Sequence, residues 1–408
     1  MYSSINSNTT GKDKILLILM GVFAFSSFSL TVSFDFLHLP LTLCEPFFFF
    51  FLVLLRRRFF PITYDRGAFV VLCFLLLTSI LLSQLLTSYS LYSVLSSSRG
   101  YFYLILFYCI FKRANRITSE DLLYVSFGSI IGWAISCVLS FREILLNPSE
   151  PLQTYGNMIS VAVFIALAVL YKKTSLFTVG LVFLLIICFM SGIRRVIAVV
   201  FVALFLSYIF LLIRNKSSLS KSLLFGVIIA IPIFLLIPKL EKYSEENIPV
   251  LYYRLFTKTE QLFSGESGQS DLSRIDGFKD FQDNFTDYIM PRGMVSYQIN
   301  EDPEVGIYID FPLLALCRIV GLPVAICLLY FFMKQALKSF LYYRRTYDPE
   351  SGVYVITTIV MIILLFVEGS FLVHPFTTPF TGLCLGKVVL HGHKYVYLLK
   401  KKHIKSVI

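Results

Sequence analysis

From Val196 to Ile213 the chain reads VIAVVFVALFLSYIFLLI, with no charged side chain, and arginines stand at both ends: Arg194, Arg195 and Arg214. This pattern, apolar runs with charges confined to the gaps, repeats along the sequence. A helix needs about 20 apolar residues to cross the roughly 30 Å hydrocarbon layer of a bilayer. A backbone in lipid must satisfy its own hydrogen bonds, so the spans are helices. The alternation that marks a barrel strand is not seen. Composition agrees: 57% of residues are hydrophobic, only 15% are charged, and mean hydropathy is +0.76. The sequence therefore predicts an all-α polytopic membrane protein.

Twelve apolar segments are expected, near 15–33, 38–55, 67–86, 92–111, 121–141, 155–171, 175–190, 196–213, 222–237, 307–332, 352–372 and 375–391. The last is interrupted by Pro379, Gly382 and Gly386 and is expected to be broken. The first follows a basic start and has no small-residue cleavage site behind it, so it reads as a retained span. The chain then divides into spans one to nine (1–237), a hydrophilic loop (238–306), spans ten to twelve (307–391) and a basic tail (392–408).

Lysine and arginine bias sets the expected orientation. With the N-terminus in the cytoplasm, the inside segments include RRRFFPITYDR, KRANR, Lys172–Lys173, RNKSSLSK, KQALKSFLYYRR and KYVYLLKKKHIK. Both termini then lie inside, and the short outer loops keep only Arg99, Arg142, Arg194 and Arg195. The net charge of +11 is explained by this bias, and no basic segment is long enough for a nucleic-acid domain. All eight cysteines fall in apolar runs without CxxC or Cys/His spacing, so neither a disulfide framework nor a metal centre is expected, and no cofactor.

The arginines that defy the bias are the candidate chemistry. Arg194 and Arg195 open a helix, where unpaired N–H groups and the dipole already favour an anion, and guanidinium groups add phosphate-matching donors. The loop at 238–306 carries seven basic and thirteen acidic residues, so an anion site there depends on particular arginines rather than on a general field. Its stretches VLYYRLFTKTEQLF and SDLSRIDGFKDFQDNF have helical spacing, GESGQS reads as a joint, and MPRGM at 290–294 reads as a turn. Arg254 and Arg274 have the alternative of pairing with nearby acids. Asp310 and Arg318 stand eight residues apart, on one helical face. Glu368 and His374, near the outer end of the eleventh span, are further proton acceptors. Asn284 lies in a sequon too common to carry weight.

These features together resemble the O-antigen polymerase and ligase superfamily. The matching elements are Ser191–Gly192 with Arg194 or Arg195, then Arg274 and FKDF, then Pro291–Arg292–Gly293, then Asp310 and Gly321. The loop has no histidine where the ligases carry one, which favours a polymerase, with a ligase as the alternative and a lipid-linked oligosaccharide flippase as a second. The resemblance implies a GT-C-like glycosyltransferase of the cell inner membrane. It would transfer a glycan from undecaprenyl pyrophosphate to a lipid-linked repeat unit, alongside a chain-length regulator protein. Arg194, Arg195, Arg274 and Arg318 would hold pyrophosphate. Arg254 and Arg292 would touch sugar. Asp310, Glu368 or His374 would act as the base.

Overall fold

The computed structural model describes residues 11–31, 33–36, 39–58, 64–86, 91–112, 118–146, 156–191, 194–214, 238–239, 241–257, 260, 278–293, 312–367, 372 and 374–407. Among these residues it is a helical bundle with one short antiparallel hairpin, Ser33–Phe36 paired with Leu39–Thr42. The helices are α1 (Gly11–Ala24), α2 (Cys44–Arg58), α3 (Arg66–Leu86), α4 (Leu91–Phe111), α5 (Ser119–Leu146), α6 (Met158–Leu170), α7 (Thr174–Ser191), α8 (Arg194–Arg214), α9 (Phe285–Ile289), α10 (Pro312–Val320), α11 (Leu322–Thr346), α12 (Pro349–Leu364) and α13 (Thr378–Val407). Six of them are long and apolar enough to cross a membrane: α3, α4, α5, α7, α8 and α11.

Elsewhere the expected boundaries shift. The first two segments, 15–33 and 38–55, give up residues to a 3-10 turn at Ser27–Thr31 and to the hairpin. Leu43 N–H bonds to Ser29 O, closing this corner. The expected span at 307–332 is not one helix. Gly321 adopts φ +83°, a backbone conformation open to glycine, and separates α10 from α11. The last segment is not broken: α13 is continuous, because Pro379 falls in its first turn, where no N–H bond is lost. The ninth segment, 222–237, lies outside the described residues.

The glycines expected to break α13 instead let it approach α4. A Cβ on Gly382 would strike the Leu104 carbonyl, and one on Gly386 would lie 2.8 Å from the Tyr108 carbonyl. A second four-residue glycine spacing, Gly128 and Gly132 on α5, does the same for α1. There a Cβ on Gly128 would strike Ile18 O, and one on Gly132 would strike Ser26. Lipid offers no hydrophobic drive between helices, so such close backbone contact supplies the dispersion that holds them. At the centre is α6, buried on nearly every face. Its 13 residues span roughly 20 Å, too short for a full crossing, and an apolar helix with no polar side is a core element.

The helix ends sort into two groups. At one end, Lys14 and Lys173 both approach Glu120 (3.7 and 4.0 Å), and Lys112 pairs with Asp65 at 2.5 Å. Tyr171 donates to Ser119 at 3.0 Å, and the Asp348–Pro349–Glu350 turn meets α13 there. These are connections that the charge bias assigns to the cytoplasm. At the other end lie the hairpin, Asn157 and the residue 291–293 turn. Asn157 donates to the carbonyls of Phe25 (3.1 Å) and Phe376 (3.4 Å), tying the end of α1 to the start of α13.

Candidate functional site

The broken helix builds the site. The Pro291–Arg292–Gly293 turn lies against the break at Gly321: a Cβ there would sit 2.8 Å from Ile289 O and 3.3 Å from Pro291. Arg292 N–H donates to Arg318 O at 2.8 Å, the last turn of α10. Gly293, at φ +95°, presses on α3, where a Cβ would lie 2.5 Å from Ser79 O. Ser79 Oγ contacts Ile319 O at 3.4 Å, completing the junction of turn, α3 and α10. On the other flank Tyr288 is buried with Leu314, Cys317 and Ala325, and its hydroxyl donates to Asp280 at 2.6 Å. Phe281 meets Tyr288 edge to face at 5.0 Å. The aromatic spacing noted in FKDFQDNF thus packs this end of the loop onto α10 and α11.

Under α10 is an apolar cavity of about 180 Å³ between α3 and α11, backed by α4, α12 and α13. Leu76, Ile319, Phe332, Met361 and Leu385 line it, with Ser79, Tyr101, Thr358 and Thr381 as polar points. Met333, also in the wall, is 53% exposed, so the cavity reaches the outer surface of the bundle. Such a space accepts an alkyl or isoprenoid chain rather than a sugar.

The expected site residues are distributed unevenly. Arg318 is half-buried on α10, just before Ile319 and Val320 of the cavity wall, and Arg292 is exposed and paired with Asp287. His374 stacks on Phe376 (5.4 Å), and its carbonyl takes the N–H groups of Thr377 and Thr378 at the start of α13. Arg195 is half-buried at the same end of the bundle, but on α8, which packs on α6 and α12 rather than on α10. Arg194 opens α8 and Arg254 sits in a π-turn at Tyr253–Thr257; their side chains lie outside the described residues, as do Arg274, Asp310 and Glu368. The structure therefore joins the backbone of Arg292 to that of Arg318 and leaves Arg195 apart from them.

Arg99, read as an outer-loop residue, is instead within α4. It pairs with buried Glu45 at 3.0 Å, while Glu45 accepts from Thr42 N–H at 2.6 Å at the start of α2. At the opposite end, Asp348, Glu350, Lys387, His391 and Lys394 form a polar cluster between α12 and α13 that no sequence motif announces. Its signal was Lys387, a lysine inside an apolar run, since ionisable groups in spans are paired or functional. Burial raises the Asp348 carboxyl above the usual carboxylate range, opposed by the nearby His391.

Comparison with known proteins finds no family model that matches the chain and no curated protein that matches it significantly.

Proposed function

We propose that this chain is a membrane glycosyltransferase that polymerises lipid-linked oligosaccharide repeat units, of the O-antigen or capsule kind, at the outer face of the inner membrane. The observation that carries the reading is the seating of the Pro291–Arg292–Gly293 turn on the Gly321 break, beside a lipid-accessible apolar cavity. A lipid-borne diphosphate has two parts with opposite needs, an apolar chain and a dianionic head. The cavity suits the first, and Arg318 suits the second, since a guanidinium group matches phosphate oxygens in pairs, while Arg292 keeps its reading as a sugar contact. In this reading an acceptor hydroxyl attacks the donor anomeric carbon and the lipid diphosphate departs. The cation stabilises charge as it develops on that leaving group. His374, at the same end of the bundle, is the described candidate for taking the hydroxyl proton.

Deletion of the gene in a polysaccharide-producing host, with surface glycan resolved by gel, tests this. The expected result is single capped repeat units in place of the ladder. Complete loss of glycan from the lipid core would mark a ligase instead, and units trapped inside the cell a flippase. Replacing Arg318, Arg195 and Arg274 singly with Ala and Lys then assigns the head-group contacts. Normal ladders in all six variants would overturn the arginine assignment. Orientation has its own measurement: a cysteine at exposed Glu246 should react with a membrane-impermeant maleimide from outside, and protection in intact cells would place the loop on the wrong side.

A further inference from the structure

We propose that Asp348, Glu350 and His391 form a binding site for one divalent transition-metal ion, at the end of the bundle opposite the cavity. One oxygen of each carboxylate and one ring nitrogen of His391 all lie within 4.8 Å of one another. His391 Nε2 is 3.7 Å from Asp348 Oδ2 and 3.6 Å from Glu350 Oε2. These separations are too long for direct hydrogen bonds. They approach the ligand–ligand spacing of about 3.3 Å expected around a tetrahedral ion with bonds of about 2.0 Å.

The other atoms of the same groups are already engaged. His391 Nδ1 is 2.8 Å from Lys387 O, so it carries the proton and leaves the Nε2 lone pair facing the carboxylates. Glu350 Oε1 takes Lys387 Nζ at 3.1 Å, and Asp348 Oδ1 accepts the Glu350 N–H at 3.3 Å. What remains converges on one point: two carboxylate oxygens and an imidazole nitrogen, the donor set that zinc, manganese and iron(II) accept. A separate group points to a ligand. Tyr354 is fully buried, its ring stacks on His391 at 5.7 Å, and its hydroxyl has no hydrogen-bond partner among the described residues. Tyr354 lies one turn beyond Glu350 on α12, close enough for the charges of Glu350 and Asp348 to act on its hydroxyl. Buried hydroxyls are almost always bonded, so a water held by the ion at its open fourth position is the partner this group lacks. Without metal, Lys394 Nζ, 3.4 Å from His391 Nε2, supplies positive charge; a divalent ion displaces that flexible amine.

The measurement is metal uptake by the full chain purified in detergent, stripped with chelator and dialysed against zinc or manganese, with bound metal counted by mass spectrometry. About one ion per chain is expected, with affinity weakened at least ~10-fold in His391→Ala and in Asp348→Asn. Lys394→Gln serves as the second variant, since it removes a competing cation and no ligand. Uptake in Lys394→Gln as tight as or tighter than in the parent supports the site. No stoichiometric uptake by the parent chain, or equal uptake by His391→Ala, overturns it and leaves the cluster as ion pairs alone.

Discussion

The two ends of the bundle are held by different physics. Around Glu120, Asp65 and Glu350 the helix ends are tied by ion pairs between side chains from distant parts of the sequence. Around residues 291–293 the ties are mostly made by the backbone: Arg292 N–H to Arg318 O, Leu313 N–H to Leu365 O, and two glycines at positive φ. The first end locks helices of regular geometry. The second depends on an interrupted helix and leaves an apolar space unfilled beneath it. An end built from broken helices around a cavity is where a membrane protein accommodates a ligand, because irregular backbone at depth survives only when buried in protein or lining such a space.

The contrast can be broken most forcefully at the ion-pair end. Glu350→Gln removes the carboxylate 3.1 Å from Lys387, which is 1% exposed, and should cost about 3–5 kcal/mol, with partial recovery in Glu350→Gln/Lys387→Met. Thermal unfolding in detergent reads this, and an unchanged melting temperature would remove the pair from the account. Gly382→Ile drives a branched side chain into the Leu104 carbonyl and should cost about 1–3 kcal/mol by the same measurement.

At the cavity end the expected order reverses, with modest stability loss and large loss of function. Gly293→Ala should cost about 1–2 kcal/mol for its left-handed backbone, yet shorten or abolish the glycan ladder by displacing the turn from Ser79. A wild-type ladder would separate the turn from activity. Leu316→Phe should change stability by less than about 1.5 kcal/mol and still reduce polymer, by filling the cavity. Equal polymer at equal protein level would show that the cavity is not used. The smallest effect is expected from Asp287→Asn: its pair with Arg292 is largely exposed and should contribute under about 1 kcal/mol.

Much of this architecture was legible along the chain. The apolar runs at 67–86, 92–111, 121–141, 175–190 and 196–213 reappear as long helices within a few residues. A hydrophobic run of that length acts locally: each backbone group bonds within its own segment, so no neighbour is needed to define it. The irregular backbone at Pro291–Gly293 was visible because proline and glycine dictate their own dihedral angles.

Other features required the neighbours. Gly382 and Gly386 read alone as breakers, yet α4 makes them contact points, since a missing side chain weakens an isolated helix and strengthens one packed backbone to backbone. Residues 307–332 read as one span because the cost of the break at Gly321 is offset by the distant 289–293 turn. Arg99 and Glu45, or Asp348, Glu350 and His391, meet only when helices far apart in sequence pack side by side. Sequence by itself determined the helical class and the positions of five long apolar helices, because these follow from local hydropathy and backbone bonding. Tertiary structure alone decided where helices stop, which charges meet and where the cavity opens, because those depend on contacts between segments that no local pattern encodes.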